Sequence, residues 1–389
     1  MEKIGVSIQI FALTNPHEEV VQKQVDQVQA SVQYMDTIQS RIFWSVLREN
    51  LAVARLYFRG YLRSLFYVAS NPKIDQGYTA SNRWACFLQS VHFVSLLLQD
   101  SKRGKKIDHL HAHFAHDPTL IAYLVHCMTG LPFSFTAHAR DLYQVDKKVL
   151  TDRIQHATAV ITCCRANLEY LNQIAPSQQS KFSLIYHGVN LKDFQPVSDR
   201  RTNAVSTDPL IISVGRLVEK KGFQDLFEAL FLVKKRGERF QCAIYGDGPL
   251  RQQLTEWIEK HDMSGEILLQ GDRTQQELIS AYQNANLFIL TPIDAGNGDR
   301  DGIPNVLVEA MAVGLPVITT AVAGIPELVE NNRDGLLYPS HDVENISSGI
   351  LELLCNPEKR RQLGDAAAKK VKEQFDIAQA AQRLKALFV

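Results

Sequence analysis

The sequence is short of most features that would settle its class quickly. It has no excess of either charge: Lys and Arg together number 42, as do Asp and Glu. That balance removes the global basicity of a nucleic-acid binder while leaving room for a local basic patch. Its six cysteines, Cys86, Cys127, Cys163, Cys164, Cys242 and Cys355, lie scattered in apolar segments without metal-ligand spacing. They read as reduced core residues, which predicts a cytoplasmic protein. No signal-like segment opens the chain, and no uncharged apolar run is long enough to cross a bilayer. Internal repeats and low-complexity tracts are absent. No G-x-G-x-x-G follows any strand, which disfavours a dehydrogenase built on that fingerprint. What is present is a soluble globular composition, 45% hydrophobic and 22% charged, over 389 residues. That length is too great for one ordinary core and predicts two or three domains.

Short β-rich apolar runs alternate with amphipathic helical stretches. The first half carries "VSIQIFAL", "HLHAHF", "PFSFTAH", "AVITCC" and "FSLIYHG"; the second "LIISVG", "QCAIYG", "EILLQG", "ANLFIL", "PVITTA" and "GLLY". Such alternation predicts an α/β protein with parallel sheets covered by helices on both faces. The polar, Pro-containing stretch from Asn190 to Asp208 reads as a linker. Two Rossmann-like domains are therefore expected, residues 1–194 and 195–375, with 376–389 a terminal helix packing back on the first. Ligands of such sheets bind at the carboxyl ends of the strands, so two facing domains would form a cleft there.

Three motifs stand out in the second half. "ISVGRLVEKKGFQDLFEAL" sets Gly215 and Arg216 at a strand end, with Lys221 leading into a helix. An Arg fork, a Lys point charge and a helix start suit a diphosphate, although a solvated loop with a capped helix reads equally well. "AIYGDGPLRQQL" places Gly246 and Gly248 where backbone can approach a ligand, or simply makes a turn. "GNGDRDGIPNVLVEAM" says more: an acidic loop with Asp301 runs through Gly302 and Ile303 into Pro304 and Asn305, and then into an apolar helix interrupted by Glu309. Pro304 is expected at the first helical position, with unpaired backbone N–H groups over the first turn. Glu309 would lie about 7.5 Å along that helix. A buried carboxylate must be satisfied, by a structural partner or by ligand hydroxyls. A nucleotide sugar has the matching layout of sugar, diphosphate and ribose.

Asp301 and Glu309, together with Gly302, Pro304 and "GLPVITTAVAGIPELV", resemble the E-x7-E region of retaining GT-B glycosyltransferases of family GT4. "SVGRLVEKKG", "YGDGPLRQQL" and "YHGVNLKDF" are similar to that family's other landmarks, in the same order. "HAHFAHDPTLIAYLVHCMTGLPFSFTAHARDLY" resembles the exopolysaccharide branch, which includes colanic-acid-type enzymes. The resemblance implies that Arg216 and Lys221 bind the diphosphate of the sugar donor. It implies further that Asp301 contacts the donor sugar, Glu309 the ribose, and Gly302 to Asn305 the phosphates and sugar through backbone. No metal or cofactor is expected. Members of the family usually carry Glu where Asp301 stands, one methylene longer.

In the first half, "HLHAHFAHDP" packs His109, His111, His113 and His116 together. The first three would share one strand face, which raises a metal site against a strand of hydrogen-bonded histidines. In "FTAHARDLY", His138 and Asp141 resemble the family's His-x-x-Asp element beside the donor sugar; Asp141 could equally cap a helix. Residues 41–69 form a helical stretch in which Arg48, Arg55, Arg59 and Arg63 line one face and Tyr57, Phe58, Tyr61, Phe66 and Tyr67 interleave. It reads either as an ordinary domain helix or as a surface for anionic head groups or a lipid-pyrophosphate acceptor. The family's opening strand, glycine loop and helix are expected ahead of "GVSIQIFAL" and have no counterpart in this sequence.

The whole predicts a retaining glycosyltransferase that moves a sugar from a nucleotide-diphosphate sugar to a lipid-linked or polysaccharide acceptor, at the inner face of a membrane. The competing readings are a nucleotide-sugar epimerase or hydrolase of the same fold, and a non-catalytic protein that binds nucleotide sugars or glycans.

Overall fold

The computed structural model describes residues 1–13, 25, 27–35, 43–76, 81–196, 208–294 and 302–388. Two compact units make up the chain: Met1–Ile185 with Gln382–Val389, and Tyr186–Ala381.

In the first unit the elements run β1 (Gln9–Ala12), β2 (Ser31–Tyr34), α1 (Phe43–Leu56), α2 (Phe58–Ser70), α3 (Arg83–Lys102), β3 (Leu110–His113), α4 (Asp117–Thr129), β4 (Phe133–Ala137), α5 (Ala139–Gln144), α6 (Lys147–His156), β5 (Ala159–Thr162), α7 (Arg165–Ile174) and β6 (Phe182–Leu184). Strands β3 to β6 form a sheet in sequential order, and β1 and β2 make a separate pair. All these pairings are parallel. Helical crossovers cover both faces of the four-stranded sheet, so β4 and β5 are buried at every position and read as continuous apolar or small runs. Strand β1 leans on α3, where the rings of Phe11 and Phe93 lie 4.3 Å apart and the Gln9 amide donates to Asp100 at 2.8 Å.

The second unit continues with β7 (Leu210–Val214), α8 (Phe223–Lys235), β8 (Gln241–Tyr245), α9 (Arg251–Lys260), β9 (Ile267–Gly271), α10 (Gln275–Asn284), β10 (Leu287–Leu290), α11 (Asn305–Ala312), β11 (Val317–Thr320), α12 (Ile325–Leu328), β12 (Leu336–Tyr338), α13 (Val343–Cys355) and α14 (Pro357–Gln374); the chain division at Ala381 falls within α15 (Ile377–Lys385). Its six strands are ordered β12-β11-β10-β7-β8-β9, all parallel. The order reverses between β7 and β10, which makes that point the expected ligand crevice. Helix α8 shows why such helices form here: Phe223, Leu226, Phe227, Leu230 and Val233 recur at helical spacing and all are buried.

The division between units falls after Ile185, nine residues before the expected boundary at 194/195. Val189 and Phe194 explain the shift, because both are buried in the second unit's core. At the other end of the chain, Phe388 lies in the first unit and stacks on His109 at 4.9 Å.

The basic stretch at 41–69 is two helices rather than one. Tyr57, at φ −122°, interrupts it, and beyond the break Gly60 presses on α4 so closely that a Cβ would meet Met128 Cα at 2.6 Å. The aromatic side chains divide accordingly. Tyr57, Tyr61 and Tyr67 pack on the core, whereas Phe43, Trp44 and Phe66 are 70–73% exposed and are joined by exposed Leu47, Leu51, Leu56, Phe58 and Leu62. Arg48, Arg55, Arg59 and Arg63 are also exposed.

Candidate active site

The residues singled out in the second half gather at the carboxyl ends of β7, β8 and β10. After β7 the chain turns through Gly215 and Arg216, and the segment Glu219–Lys221 leads into α8 through Gly222. Gly222 has φ +64°, and a Cβ on it would run into the carbonyl of Thr291 beyond β10. The two loops are sewn together there: Thr291 Oγ1 donates to Gly222 O at 2.7 Å, and Ile293 N–H to Lys220 O at 3.0 Å. The aliphatic stem of Lys221 lies over Gly215, 3.5 Å from where a Cβ would stand.

Gly246, after β8, has φ +133° and sits against the carbonyl of Gly215, so no side chain fits between the loops. Gly248 is as tight, 2.6 Å from Leu217 O at its notional Cβ. The loops are cross-linked by Gly215 N–H to Tyr245 O and Leu217 N–H to Asp247 O, both at 2.9 Å. A cavity of about 360 Å³ opens here, lined among others by Gly215, Arg216, Tyr245, Gly246, Asp272 and Arg273. Tyr245, Asp272 and Arg273 were not anticipated from sequence; their only signal was position, at or just past the ends of two strands.

Helix α11 begins one residue later than expected. Pro304 is its N-cap, with φ −64° and ψ 125°, and not its first helical residue. Leu307 N–H already donates to Pro304 O at 3.1 Å, and proline has no N–H, so the first amides of the helix are those of Asn305 and Val306. Gly302 O accepts from Gly324 N–H at 3.2 Å, which ties the loop to the start of α12. Ile303 packs against the second unit's core, Pro304 is buried, and Asn305 is exposed. Asp301 lies outside the described residues.

Glu309 has the satisfied environment that its apolar neighbours demand, from protein groups rather than a ligand alone. The fully buried Tyr282 donates its hydroxyl to Glu309 Oε2 at 2.9 Å, and Gln275 adds a second side-chain hydrogen bond. Burial raises the carboxyl pKa and these two donors oppose the rise. Glu309 nevertheless stays partly exposed, so one edge remains open to a ligand. Both partners come from α10, on its inward stripe, and sequence reasoning missed them.

In the first unit, His138 and Asp141 do come together, but differently from two groups facing a substrate. Asp141 is wholly buried. One oxygen accepts from His138 N–H at 2.9 Å and the other from Ala115 N–H. Burial lifts its pKa to about 6, against the pull of those amides. It caps α5 and ties the β3–α4 turn to the end of β4. His138 is half-buried, with Nδ1 4.0 Å from Cys163 Sγ.

The histidine strand does not read as a metal site. His109 Nε2 and His111 Nδ1 lie 2.7 and 2.8 Å from Ser134 Oγ, and His111 Nε2 lies 3.0 Å from Thr136 Oγ1. Ring nitrogens used in this way are not available to an ion. Burial pushes His111 down to about 3, so it stays neutral.

These two parallel α/β units, with a glycine-bounded crevice at the carboxyl ends of β7 and β8 in the second, have the architecture of the GT-B glycosyltransferases. Solved structures share it: a glycosyltransferase of Rickettsia africae (TM-score 0.65, 16% identity, 94% of this chain and 86% of that one) and HepE of Anabaena, solved with UDP and glucose (TM-score 0.63, 17% identity, 75% and 80%). Residues 195–370 match the family described as Glycosyl transferases group 1, and residues 70–193 match Glycosyltransferase Family 4. The chain belongs to this glycosyltransferase family. Among curated relatives, AmsK of Erwinia amylovora, an amylovoran biosynthesis glycosyltransferase, is 41% identical over 37% of this chain and 35% of its own. WcaL of Escherichia coli K12, named for colanic acid biosynthesis, is 36% identical over 44% and 42%. The matched segment thus spans well under half the length of either relative.

Proposed function

We propose that this protein transfers a sugar from a nucleotide-diphosphate sugar to a hydroxyl of a glycan acceptor in exopolysaccharide or cell-envelope synthesis, with retention at the anomeric carbon. The observation that carries the reading is the glycine-bounded cavity at the carboxyl ends of β7 and β8, lined by Gly215, Arg216 and Gly246, with the stem of Lys221 lying over Gly215. In this reading Arg216, Lys221 and the start of α11 bind the diphosphate, Glu309 the ribose, and Asp301 the donor sugar. The bond from anomeric carbon to phosphate oxygen breaks, the acceptor oxygen bonds to that carbon on the same face, and its proton passes to the leaving phosphate. The likeness to AmsK and WcaL supports the exopolysaccharide setting.

A thermal-shift screen of nucleotide sugars followed by product analysis tests the proposal. A donor at a hundred times its Kd should stabilise by about 2.7 kcal/mol. Sugar appearing on an acceptor supports transfer. Products from the donor alone would favour an epimerase or hydrolase, and binding without chemistry a non-catalytic protein.

Two further outcomes are expected. Glu309→Gln keeps an oxygen for Tyr282 but loses the charge, and should weaken donor binding by about 10- to 100-fold with the fold intact, the worth of one charged hydrogen bond. Calorimetry showing unchanged affinity would remove Glu309 from the site. Because protein cations neutralise the leaving diphosphate, activity should survive EDTA; a loss restored by added Mg²⁺ would contradict that.

The acceptor is proposed to be lipid-linked and met at a membrane surface, through α1 and α2. Their exposed apolar stripe runs beside four exposed arginines, none of which forms an ion pair among the described residues. No helix among the described residues is long and apolar enough to cross a membrane. Vesicles rich in phosphatidylglycerol should bind the protein and neutral vesicles should not. Arg55→Ala with Arg59→Ala should weaken binding about 30-fold, at about 1 kcal/mol per arginine. Equal binding to both kinds of vesicle would sink the idea.

A further inference from the structure

At the carboxyl end of β3 the backbone does something the core does not require. Phe114 has φ +78°, a left-handed conformation that bulky residues avoid. Among the described residues the other non-glycine positions with positive φ are Asp262, Ala323, Asn332 and His341, so there Phe114 alone presents an apolar aromatic ring. Its conformation is held from every side. Phe114 N–H donates to Thr136 O at 2.9 Å, and Thr119 Oγ1 donates to Phe114 O at 2.6 Å. The next two residues are fixed by buried ions: Ala115 N–H donates to Asp141, and Arg153 donates to the carbonyls of Ala115 and His116 at 2.6 and 3.1 Å. Arg153 is itself 2% exposed.

Strain of this kind persists only where the surroundings over-determine it, and it collects at ligand-binding positions. Here it does not bury the ring, which stays 45% exposed. Nor is the ring placed at random. Its centroid lies 4.9 Å from that of His138, at the end of the neighbouring strand, on the edge where parallel sheets take their ligands. Asp141 ties the two strand ends together, since its oxygens hold Ala115 N–H, next to Phe114, and His138 N–H at once. Two buried charges thus serve to display one aromatic face beside the histidine.

We infer that Phe114 is the stacking platform for a sugar ring of the acceptor, held in place by the positioning residues Asp141 and Arg153. A hexose has an apolar C–H face that an aromatic ring matches, and its hydroxyls then point sideways, towards His138. The inference rests on the glycosyltransferase reading and adds the residue that grips the acceptor.

The test uses the full chain with UDP-glucose, UDP-galactose and GDP-mannose as donors and octyl hexosides as acceptors. Phe114→Leu, which keeps apolar bulk and loses the ring, should raise the acceptor KM about tenfold while the donor KM stays put. Phe114→Trp should hold the acceptor KM near the wild-type value. Phe114→Asn suits the left-handed backbone, so it should raise Tm while weakening the acceptor as Leu does. An acceptor KM unchanged in Phe114→Leu, or a donor KM that rises equally, overturns the inference. A wild-type protein that binds none of the donors overturns the glycosyltransferase reading instead.

Discussion

Gly222→Ala should lower the stability of the second unit by about 3 kcal/mol or more and its melting temperature by about 6–12 °C. Two penalties combine. A left-handed alanine costs about 1–2 kcal/mol wherever it occurs. At Gly222 the added methyl also meets the carbonyl of Thr291, which is backbone between a buried strand and a bonded loop and cannot step aside cheaply. Gly237→Ala is the control. Its φ of +84° is equally left-handed, but nothing lies within 4 Å of its notional Cβ. That variant should lose only the first penalty. Calorimetry showing equal losses in the two would mean that the Thr291 contact has no energetic weight. Because Gly222 follows Lys221 directly, donor binding should weaken in the first variant and not in the second.

Lys221→Ala should lower kcat/KM for the donor by about 100-fold or more, the usual consequence of removing one fixed group that stabilises charge developing on a leaving oxygen. Arg216→Ala should approach it. The effects should not simply add, because in the proposed reading both cations face one diphosphate. Lys221→Arg should recover only part of the loss: the lysine stem fits over Gly215, and a planar fork cannot replace a point charge in that slot. Steady-state kinetics with each variant decide it. A change below threefold in Lys221→Ala would place the diphosphate elsewhere.

Much of the frame was legible in the sequence for reasons visible in particular segments. Strands such as β10 and β11 are apolar or β-branched throughout, and buried parallel strands must be. β2 escaped notice because "SVQY" is mostly exposed and has no alternation to detect. The break at Tyr57 was hidden as well: no proline marks it, and the close fit of Gly60 against α4 just beyond it is a tertiary contact. At the candidate site the composition of the loops was legible, whereas their partnerships were not. Glu309 in apolar company announced that a partner existed, but Tyr282 and Gln275 became evident only when α10 was laid beside α11. Asp141 shows the opposite case: its capping reading was legible in the motif, and the structure adds its burial and a second backbone donor, Ala115 N–H. The left-handed turn at Phe114 had no signature at all, since nothing in "HAHFAHD" demands a positive φ.

The ring of Phe388 on His109 and His111 sets an order of events during synthesis. The histidine strand leaves the ribosome long before the residue that covers it. At about 5–20 residues per second, the gap is on the order of tens of seconds. Throughout that time the whole second unit emerges and can fold, while the face of β3 and β4 that carries His109, His111, Ser134 and Thr136 lacks its lid. The first unit to be made is therefore the last to be finished.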